Sequence, residues 1–536
     1  MHKGDQFLLL TARNETDNVH CGWNGMLMVR SDSDMKAVAE AVAGEQSGPL
    51  NERLVRALER LIAEGRLKAG DQLPATRELA GRLGWHRSTV IQAYNKLAQA
   101  GLLDSGVGRG TFVRAAELPA AGDEPFSWSN LAQPDGGSLE LERALAREAP
   151  LPAQGDPIRL TGAIPDPALF PLKEVRRLTR EVLETHGAEA LNYGPTEGWP
   201  PLREQIARRL AAEGVPADPD SILIVQGSQQ GLDLILRRLV RPGETVAFES
   251  PTYAQALSLF RYHGARLLPI PMDEDGLRTD MLARAAGREP VRLLYTMSTF
   301  HNPTGLSQSA ERRREVLRIA AGGGFPVLED HFDAELRYRG EALPCLKAFD
   351  ERDQVVLLGT FSKILFPGLR VGWILAPKPI FDSLSRLMRA AALSTSLMAQ
   401  IILAEFCRRG MLDRHLERVR RVYAGRQAAL LQALQRHLPP EVRWTRPDGG
   451  MTLWITLPPG IDGVSVTLEA RRRGVLVTPG NFFHVEGGAE HLALSSTFES
   501  EERLEKGARV LGEILRRAVT KDRERGPKTI EVGPIV

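Results

Sequence analysis

The chain has 536 residues, of which 43% are hydrophobic and 25% are charged, and its formal net charge is +2. This length predicts about two to four domains, and the nearly balanced charge excludes a protein that binds nucleic acid over its whole surface. Three cysteines, far apart and without metal-ligand spacing, argue against disulfides and structural zinc. Because no apolar run is long enough to span a bilayer, we expect a cytoplasmic protein without a membrane partner.

The first 46 residues carry mixed charge without sustained periodicity, and we expect an extension of unknown role with a short helix around Lys36–Val42. Residues 47–114 are predicted to form a compact domain of three helices and a β-hairpin. Within it, Leu73–Ala80 and Gly84–Val90 predict two helices joined by a tight turn, which is the spacing of a helix-turn-helix.

The second of these helices is predicted to leave its first residues exposed, where major-groove readers place their contacts. Residues 51–114 contain eleven Lys and Arg against six Asp and Glu, so positive charge is concentrated in this domain. A generic three-helix interaction module is the alternative interpretation of the spacing alone. The glycines that follow, Gly106, Gly108 and Gly110, predict a hairpin wing with Arg109 at its tip.

The segment Leu50–Val113 resembles the winged helix of GntR-type transcriptional regulators. It carries the Leu-Pro, Arg-Glu-Leu-Ala, Arg-x-Thr-Val and Gly-x-Gly-Thr-x-Val elements of that family in order. Two departures are Ala75 and His86, which stand where the family usually has a small capping residue. The resemblance implies binding to double-stranded DNA, and the expected contact residues are Arg77, Arg87, Ser88, Thr89 and Arg109.

Residues 115–157 are rich in Ala, Pro, Gly and acidic side chains and are predicted to form a linker, with one helix around Leu139–Arg147. Over residues 158–518, apolar strand-like runs alternate with helical patterns. This alternation predicts an α/β domain with a mainly parallel sheet covered by helices on both faces. Its last part, about 410–518, predicts a small α+β subdomain, and residues 519–536 form a tail.

The segment Gly359–Arg370 combines a lysine with phosphate-binding groups just after an apolar strand. Thr360 and Ser362 offer hydroxyl donors, Lys363 can form a Schiff base, and Arg370 can bind phosphate through two hydrogen bonds. Pyridoxal phosphate is the ligand that this combination predicts. A surface lysine in a polar turn is the ordinary alternative, so the prediction depends on further residues upstream.

Four upstream segments supply such residues, each near the predicted carboxyl end of a strand. Ser228 and Gln229 open a helix where backbone donors suit a phosphate, and Tyr253 is placed to stack on a pyridine ring. Asn302 is a candidate partner for the ring hydroxyl, and Asp330 for the pyridine nitrogen. The aspartate lies 28 residues after the asparagine and 33 before the lysine. Ligands of α/β folds collect at this edge of the sheet.

From about residue 156 to 518 the chain resembles the fold-type I aminotransferases. The resemblance implies pyridoxal 5′-phosphate as cofactor, with Lys363 bonded to it, Asp330 at the ring nitrogen, Asn302 at the ring oxygen and Tyr253 stacked on the ring. It implies a phosphate cup formed by Ser228, Gln229, Thr360, Ser362 and Arg370. Tyr193 matches a tyrosine that reaches the phosphate of the neighbouring subunit, which implies a homodimer, with a domain-swapped arrangement left open.

Two positions depart from the pattern of catalytic members of this family. A tyrosine usually follows two residues after the aspartate, but here that residue is Phe332. An arginine in a late strand usually binds the substrate carboxylate, but alignment places Ala493 there, and no Arg or Lys lies between Gly474 and Glu502. These losses leave enzymatic activity open, and we expect at most weak transamination.

A GntR-type winged helix fused to an aminotransferase-like domain resembles the MocR branch of transcriptional regulators. The resemblance implies cofactor-dependent regulation in response to a small effector, which is an amino acid, an amine or pyridoxal phosphate itself. A competent aminotransferase with an auxiliary DNA-binding domain is the alternative.

Overall fold

The computed structural model describes a little more than the two predicted domains: residues 33–45, 47–106, 110–115, 138–149, 151 and 155–525. The chain divides into two compact units, Met1–Ala132 and Gln133–Val536. Within the described part of the chain, no helix is both long enough and apolar enough to cross a membrane.

The described part of the first unit contains four helices and a small antiparallel sheet. Its elements are α1 Ser33–Ala43, α2 Leu50–Ala63, β1 Gln72–Leu73, α3 Thr76–Leu83, α4 Arg87–Gln99, β2 Leu103–Gly106 and β3 Gly110–Val113. The sheet order is β1-β3-β2, and β2 pairs with β3 as a hairpin. The predicted helix-turn-helix and hairpin are therefore confirmed, with Gly84 supplying the left-handed turn between α3 and α4.

The predicted short helix near the N-terminus is present as α1, and it joins the core of this unit. Met35, Val38 and Val42 recur at helical spacing and are buried with the apolar faces of α2, α3 and α4. Because α1 covers apolar surface that would otherwise face water, it stabilises the winged helix.

The second unit begins with α5 Ser138–Glu148 and is organised around an eight-stranded sheet. The strands are β5 Ile222–Val225, β6 Thr245–Ser250, β7 Arg266–Asp273, β8 Gly276–Leu277, β9 Val291–Thr296, β10 Val327–His331, β11 Val355–Thr360 and β12 Gly372–Leu375. Their order is β5-β12-β11-β10-β9-β6-β7-β8. Neighbours pair in parallel except around β12 and at β8, so the predicted mainly parallel sheet is confirmed.

Helices cover both faces of this sheet, because its strands are buried and apolar on both sides. The helices are α6 Leu172–His186, α7 Pro200–Ala212, α8 Ser228–Leu239, α9 Ala254–Tyr262, α10 Thr279–Ala286, α11 Ala310–Gly323, α12 Lys378–Ala392 and α13 Leu397–Arg408. Helices α8, α9 and α12 pack on one face, whereas α6, α7, α10, α11 and α13 pack on the other.

The C-terminal part forms the predicted small α+β subdomain. Its elements are α14 Met411–His437, β13 Arg443–Trp444, β14 Thr452–Thr456, α15 Gly463–Arg472, β15 Val475–Leu476, β16 Thr478–Pro479, β17 His491–Ser495 and α16 Glu501–Arg525. Its sheet order is β13-β14-β17-β16. The short strand β4, Ile158–Arg159, pairs in parallel with β15 and ties the end of the linker to this subdomain.

Candidate cofactor and DNA-binding sites

The start of α4 presents an exposed polar edge. Arg87 and Ser88 are exposed and Thr89 is half-buried, while Arg77 is exposed on α3. Arg87 Nε donates to Thr76 Oγ1 at 3.3 Å, which links the two helices of the motif. The fifth expected contact residue, Arg109, lies outside the described residues. Four of the five residues expected to contact DNA therefore lie in one unit, and three of them, Arg77, Arg87 and Ser88, are exposed.

Neither helix of the motif has a side-chain cap at its first turn, as the departures at Ala75 and His86 predict. Instead, His86 Nδ1 and Ser88 Oγ form a hydrogen bond of 2.7 Å. Tyr94 Oη donates to the carbonyl of Pro74 at 2.9 Å and holds α4 against the start of α3. This contact helps to fix the position of the first turn of α3, which a side-chain cap would otherwise do.

In the second unit, the carboxyl ends of β5, β6, β9, β10 and β11 meet at one edge of the sheet, beside a cavity of about 490 Å³. The six predicted cofactor residues that line it are Ser228, Gln229, Tyr253, Asn302, Asp330 and Lys363. Its remaining wall comes from residues 161–164, from the small subdomain, and from Ala254, Gln255, Met297 and Phe332. The fold therefore brings predicted cofactor residues into one cavity although they are up to 135 positions apart, from Ser228 to Lys363.

Asp330 is buried near the end of β10 with one carboxylate oxygen unused. Tyr295 Oη donates to Oδ2 at 2.9 Å, but Oδ1 has no hydrogen-bond partner among the described residues. Burial raises the pKa of Asp330 to about 6, although Tyr295 and the positive charges of His331 and Lys363 oppose the shift. A buried carboxylate oxygen without a donor is costly, so a donor is expected to complete the site.

His331 turns away from this cavity and pairs with Glu213 at 3.0 Å. Burial alone would lower the pKa of His331, but the hydrogen bond and charge of Glu213 raise it to about 9. The side chain is therefore an imidazolium at neutral pH. It helps to keep the neighbouring Asp330 ionised.

Lys363 lies just after β11 and donates to the carbonyl of Ala163 at 2.6 Å. Burial lowers its pKa, against the opposing charges of Asp333 and Asp330. Asp333 is 1% exposed, and within the described part of the chain neither of its carboxylate oxygens has a hydrogen-bond partner of normal geometry. Burial therefore raises the pKa of Asp333 far above its ordinary value, and Lys363 only partly offsets that effect. Asp333 was not predicted from the sequence. Its only signal there is that it is the third acidic residue in a short stretch, after Glu329 and Asp330.

Of the residues predicted to form a phosphate cup, Ser228 and Gln229 open α8, and Arg370 lies beside the start of that helix. Arg370 adopts a left-handed backbone conformation with φ of 51° and donates to the carbonyl of Gln226 at 2.8 Å. A Cβ atom on Gly227 would lie 2.8 Å from the guanidinium, so glycine permits this close approach. Thr360 and Ser362 are buried and hydrogen-bonded to each other at 3.0 Å. These two residues and Arg370 do not line the cavity wall itself.

Tyr193 also stands apart from the cavity, since 77% of its surface is exposed. Its neighbour Leu191 is 70% exposed, and Leu172 is 66% exposed. The exposed apolar side chains between Leu172 and Tyr193 mark this part of the chain as a candidate protein interface.

Comparison with known families agrees with both units. Residues 161–510 match the family "Aminotransferase class I and II", and residues 50–113 match "Bacterial regulatory proteins, gntR family". The probable rhizopine catabolism regulatory protein MocR of Rhizobium meliloti is 31% identical over 81% of this chain and 88% of its own length. The chain is a MocR-type member of the aminotransferase class I and II family.

Enzymes are also similar to the second unit of this MocR-type chain. Aromatic-amino-acid aminotransferase 1 of Thermococcus litoralis is 37% identical over 68% of this chain and 89% of its own length. The crystal structure of a multiple substrate aminotransferase from Thermococcus profundus has a TM-score of 0.69 and 35% identity. It covers 74% of this chain and 98% of its own. The fold-type I architecture predicted from the sequence is thereby confirmed.

Pyridoxal 5′-phosphate is the cofactor of this family, and the solved α-aminoadipate aminotransferase of Thermus thermophilus carries a phosphopyridoxyl-leucine. The residues of the MocR-type chain fit the cofactor. The unpartnered Oδ1 of Asp330 is an acceptor for a pyridinium N–H, and Gly227 leaves Arg370 room at the start of α8. When bound, the cofactor supplies an aldehyde that captures amines and a ring that withdraws electrons.

The two departures from catalytic relatives both lie at this cavity. Phe332 and Ala493 both line it. A phenyl ring and a methyl group therefore occupy the places where catalytic relatives have a phenol and a guanidinium. Among the lining residues, which all belong to the described part of the chain, none is an arginine. The MocR-type chain therefore keeps the groups expected to bind the cofactor and lacks the expected carboxylate clamp.

Proposed function

We propose that the chain is a cytoplasmic, pyridoxal-phosphate-dependent transcriptional regulator. Residues 47–114 bind double-stranded DNA, residues 115–157 link the domains, and residues 158–518 bind the cofactor and a small effector. The observation that carries this proposal is a cofactor cavity without a carboxylate clamp in the same chain as a winged helix. Binding is retained in such a site, whereas orientation for proton transfer is weakened.

The proposal is tested by titrating a DNA fragment from upstream of the chain's own gene with cofactor-free and cofactor-saturated protein, followed by fluorescence anisotropy and footprinting. We expect the cofactor to change the affinity or the footprint. Identical affinity and footprint in both states would contradict cofactor-dependent regulation.

Arg87→Ala is expected to weaken DNA binding by about 1–3 kcal/mol, because the side chain is exposed at the start of α4. Gel shifts with the same fragment measure the loss. Lys96→Ala is a suitable control, since Lys96 lies in the last turn of α4 and pairs with Glu52 at 3.5 Å. Equal binding by Arg87→Ala and the wild type would refute the assignment of α4 as the recognition helix.

We infer that the effector signal leaves the cavity through α5. Leu145 of this helix packs with Ala254 and Phe482, and both of these residues line the cavity. Arg471 Nε also donates to the carbonyl of Ala149 at 2.6 Å, just after α5 ends. Because α5 lies in the predicted linker, a shift of Phe482 on ligand binding moves the chain that leads to the winged helix.

Leu145→Ala is expected to uncouple the two functions. Removing this buried side chain should cost about 2 kcal/mol of local packing, so the cofactor-dependent change in DNA affinity should fall by at least half. Cofactor affinity should stay within about twofold, because Leu145 does not line the cofactor cavity. Arg147→Ala, exposed on the same helix, serves as control. Unaltered cofactor dependence in Leu145→Ala would exclude this route.

We also propose that the chain is a homodimer, which the exposed Tyr193 and its apolar neighbours support. A competent aminotransferase with an auxiliary DNA-binding domain is the second candidate, and it is favoured by the similarity to aminotransferases. Repeated turnover of an amino acid with a keto acid would establish it. A sensor of pyridoxal phosphate alone is the third candidate, for which DNA binding depends on cofactor without any added amine or amino acid.

A further inference from the structure

One side of the cofactor cavity is uncharged. It is formed by the segment before α6 and by the small subdomain, and its residues are Thr161, Gly162, Ala163, Ile164, Thr452, Thr478, Phe482, Phe483, Ala493 and Leu494. None of these described residues has an ionisable side chain. A ligand that touches this side therefore meets methyl groups, aromatic rings and hydroxyls.

Ala493 marks the point where a carboxylate would need a cation. It lies on β17 opposite Trp454 of β14 and Thr478 of β16, and it is 5% exposed. Because Ala493 lines the cavity, a longer side chain at this position would extend into it. The methyl group leaves this place without a hydrogen-bond donor.

Two histidines near Ala493 do not replace the missing charge. His491 lies two positions before Ala493 and stacks on Trp454 with ring centroids 5.1 Å apart, and its ring is stacked on His484 at 6.0 Å. Burial lowers the pKa of His491, and burial together with His491 lowers the pKa of His484 to about 4. Because both pKa values are lowered from the ordinary value of 6.5, both histidines are neutral near pH 7. Neither of them lines the cavity.

The cations near the cavity already have partners, since the imidazolium of His331 pairs with Glu213 and the other two are assigned to the cofactor. Lys363 lies at its aldehyde and Arg370 at its phosphate in the proposed binding mode. A carboxylate on the effector would lose its water without gaining a partner, which is strongly unfavourable in a buried site. A second ammonium group would fare no better, since Asp330 is the only carboxylate among the lining residues and faces the ring nitrogen in that mode.

Resting on the proposed function, we propose that the effector is a primary amine that has no carboxylate and carries an apolar, uncharged tail. Its amino group lies at the Lys363 end of the cavity, and its tail contacts Phe332, Phe482 and Phe483. The three rings offer the large apolar surface that such a tail requires. Contact with Phe482 also places the tail against the side chain that touches α5.

Matched ligand pairs test this proposal in the cofactor-loaded, full-length protein. 2-Phenylethylamine and L-phenylalanine differ only by the carboxylate, as do 3-methylbutylamine and L-leucine. Titrations followed at the absorption band of the bound cofactor should show each amine binding at least about tenfold more tightly than its amino acid. Equal or tighter binding of the amino acids would overturn the proposal, as would an intact band that responds to neither amine.

Ala493→Arg should reverse this preference by restoring a guanidinium at the cavity. We expect binding of L-phenylalanine to tighten by about 10- to 100-fold, whereas Ala493→Met, which adds length without charge, should give no such gain. No gain in an arginine variant with an intact cofactor band would count against the proposal. Should Ala493→Arg lose the band, the wild-type pairs decide alone. Absence of the band from the wild type would instead overturn the proposed function itself.

Discussion

Lys363→Ala is expected to abolish covalent retention of pyridoxal phosphate. Lys363 is the only lysine that lines the cofactor cavity, all of whose lining residues lie in the described part of the chain, and burial lowers its pKa so that more of the reactive neutral amine is present. Wild-type protein should keep its cofactor through gel filtration, whereas the variant should lose it. Borohydride reduction followed by peptide mass analysis should place the phosphopyridoxyl mass on the peptide containing Lys363.

Lys378→Ala is the matched control, because Lys378 is an exposed lysine on α12 that pairs with Asp382. It should bind cofactor like the wild type. In Lys363→Ala, DNA binding itself should persist because the winged helix is a separate unit, but its dependence on the cofactor should disappear. A modified peptide other than the one with Lys363 would refute the assigned attachment site.

Asp330→Asn is expected to have opposite effects on the cofactor-free protein and on cofactor binding. Its pKa of about 6 in the folded protein lies above its ordinary value of 3.8. The free energy of unfolding of the cofactor-free wild type therefore falls as the pH rises through about 4 to 6, since the folded state then has to bury a charge. Above this range the asparagine variant should be more stable by up to about 3 kcal/mol.

Cofactor affinity should fall in the same variant by roughly 3 kcal/mol, or about 100-fold, because the ring nitrogen loses its charged partner. Thermal unfolding of the cofactor-free proteins at pH 4 and pH 8 measures the first effect, and cofactor titration measures the second. Asp350→Asn is an informative contrast, since Asp350 is stabilised as a carboxylate by Lys347 and by backbone N–H groups. That variant should be destabilised at pH 8. A stability difference between Asp330→Asn and wild type that is the same at both pH values would refute the assigned titration.

The sequence was sufficient to predict which side chains follow strands and lie together at one edge of the sheet. Lys363, Asp330 and Ser228 were predicted to share a site because the carboxyl ends of parallel strands meet at one edge, and the sheet confirms this geometry. The packing of α1 was harder to predict from the sequence, although Met35, Val38 and Val42 carry the helical spacing that marks a buried face. One short amphipathic helix gives too few repeats to show which domain it joins.

The remaining parts of the site depend on contacts that no local pattern reveals. Leu145 and Phe482 are 337 positions apart and meet only because α5 returns to the small subdomain. Residues 161–164 line the cavity without any recognisable motif. Asp333 opposes the lowering of the pKa of Lys363, and it does so because it is buried nearby. The residue type alone does not show that a side chain just after a strand is buried.

The exposure of Tyr193 has a consequence for how this regulator behaves when it is scarce. In the proposed homodimer, where Tyr193 reaches the cofactor phosphate of the second copy, the phosphate cup is complete only in the assembled pair. Apparent cofactor affinity should then rise with protein concentration, and dilution should release the cofactor and separate the paired winged helices in a single step. Because cofactor binding and pairing would then strengthen each other, the amount of protein and the supply of vitamin B6 would set the threshold for action together.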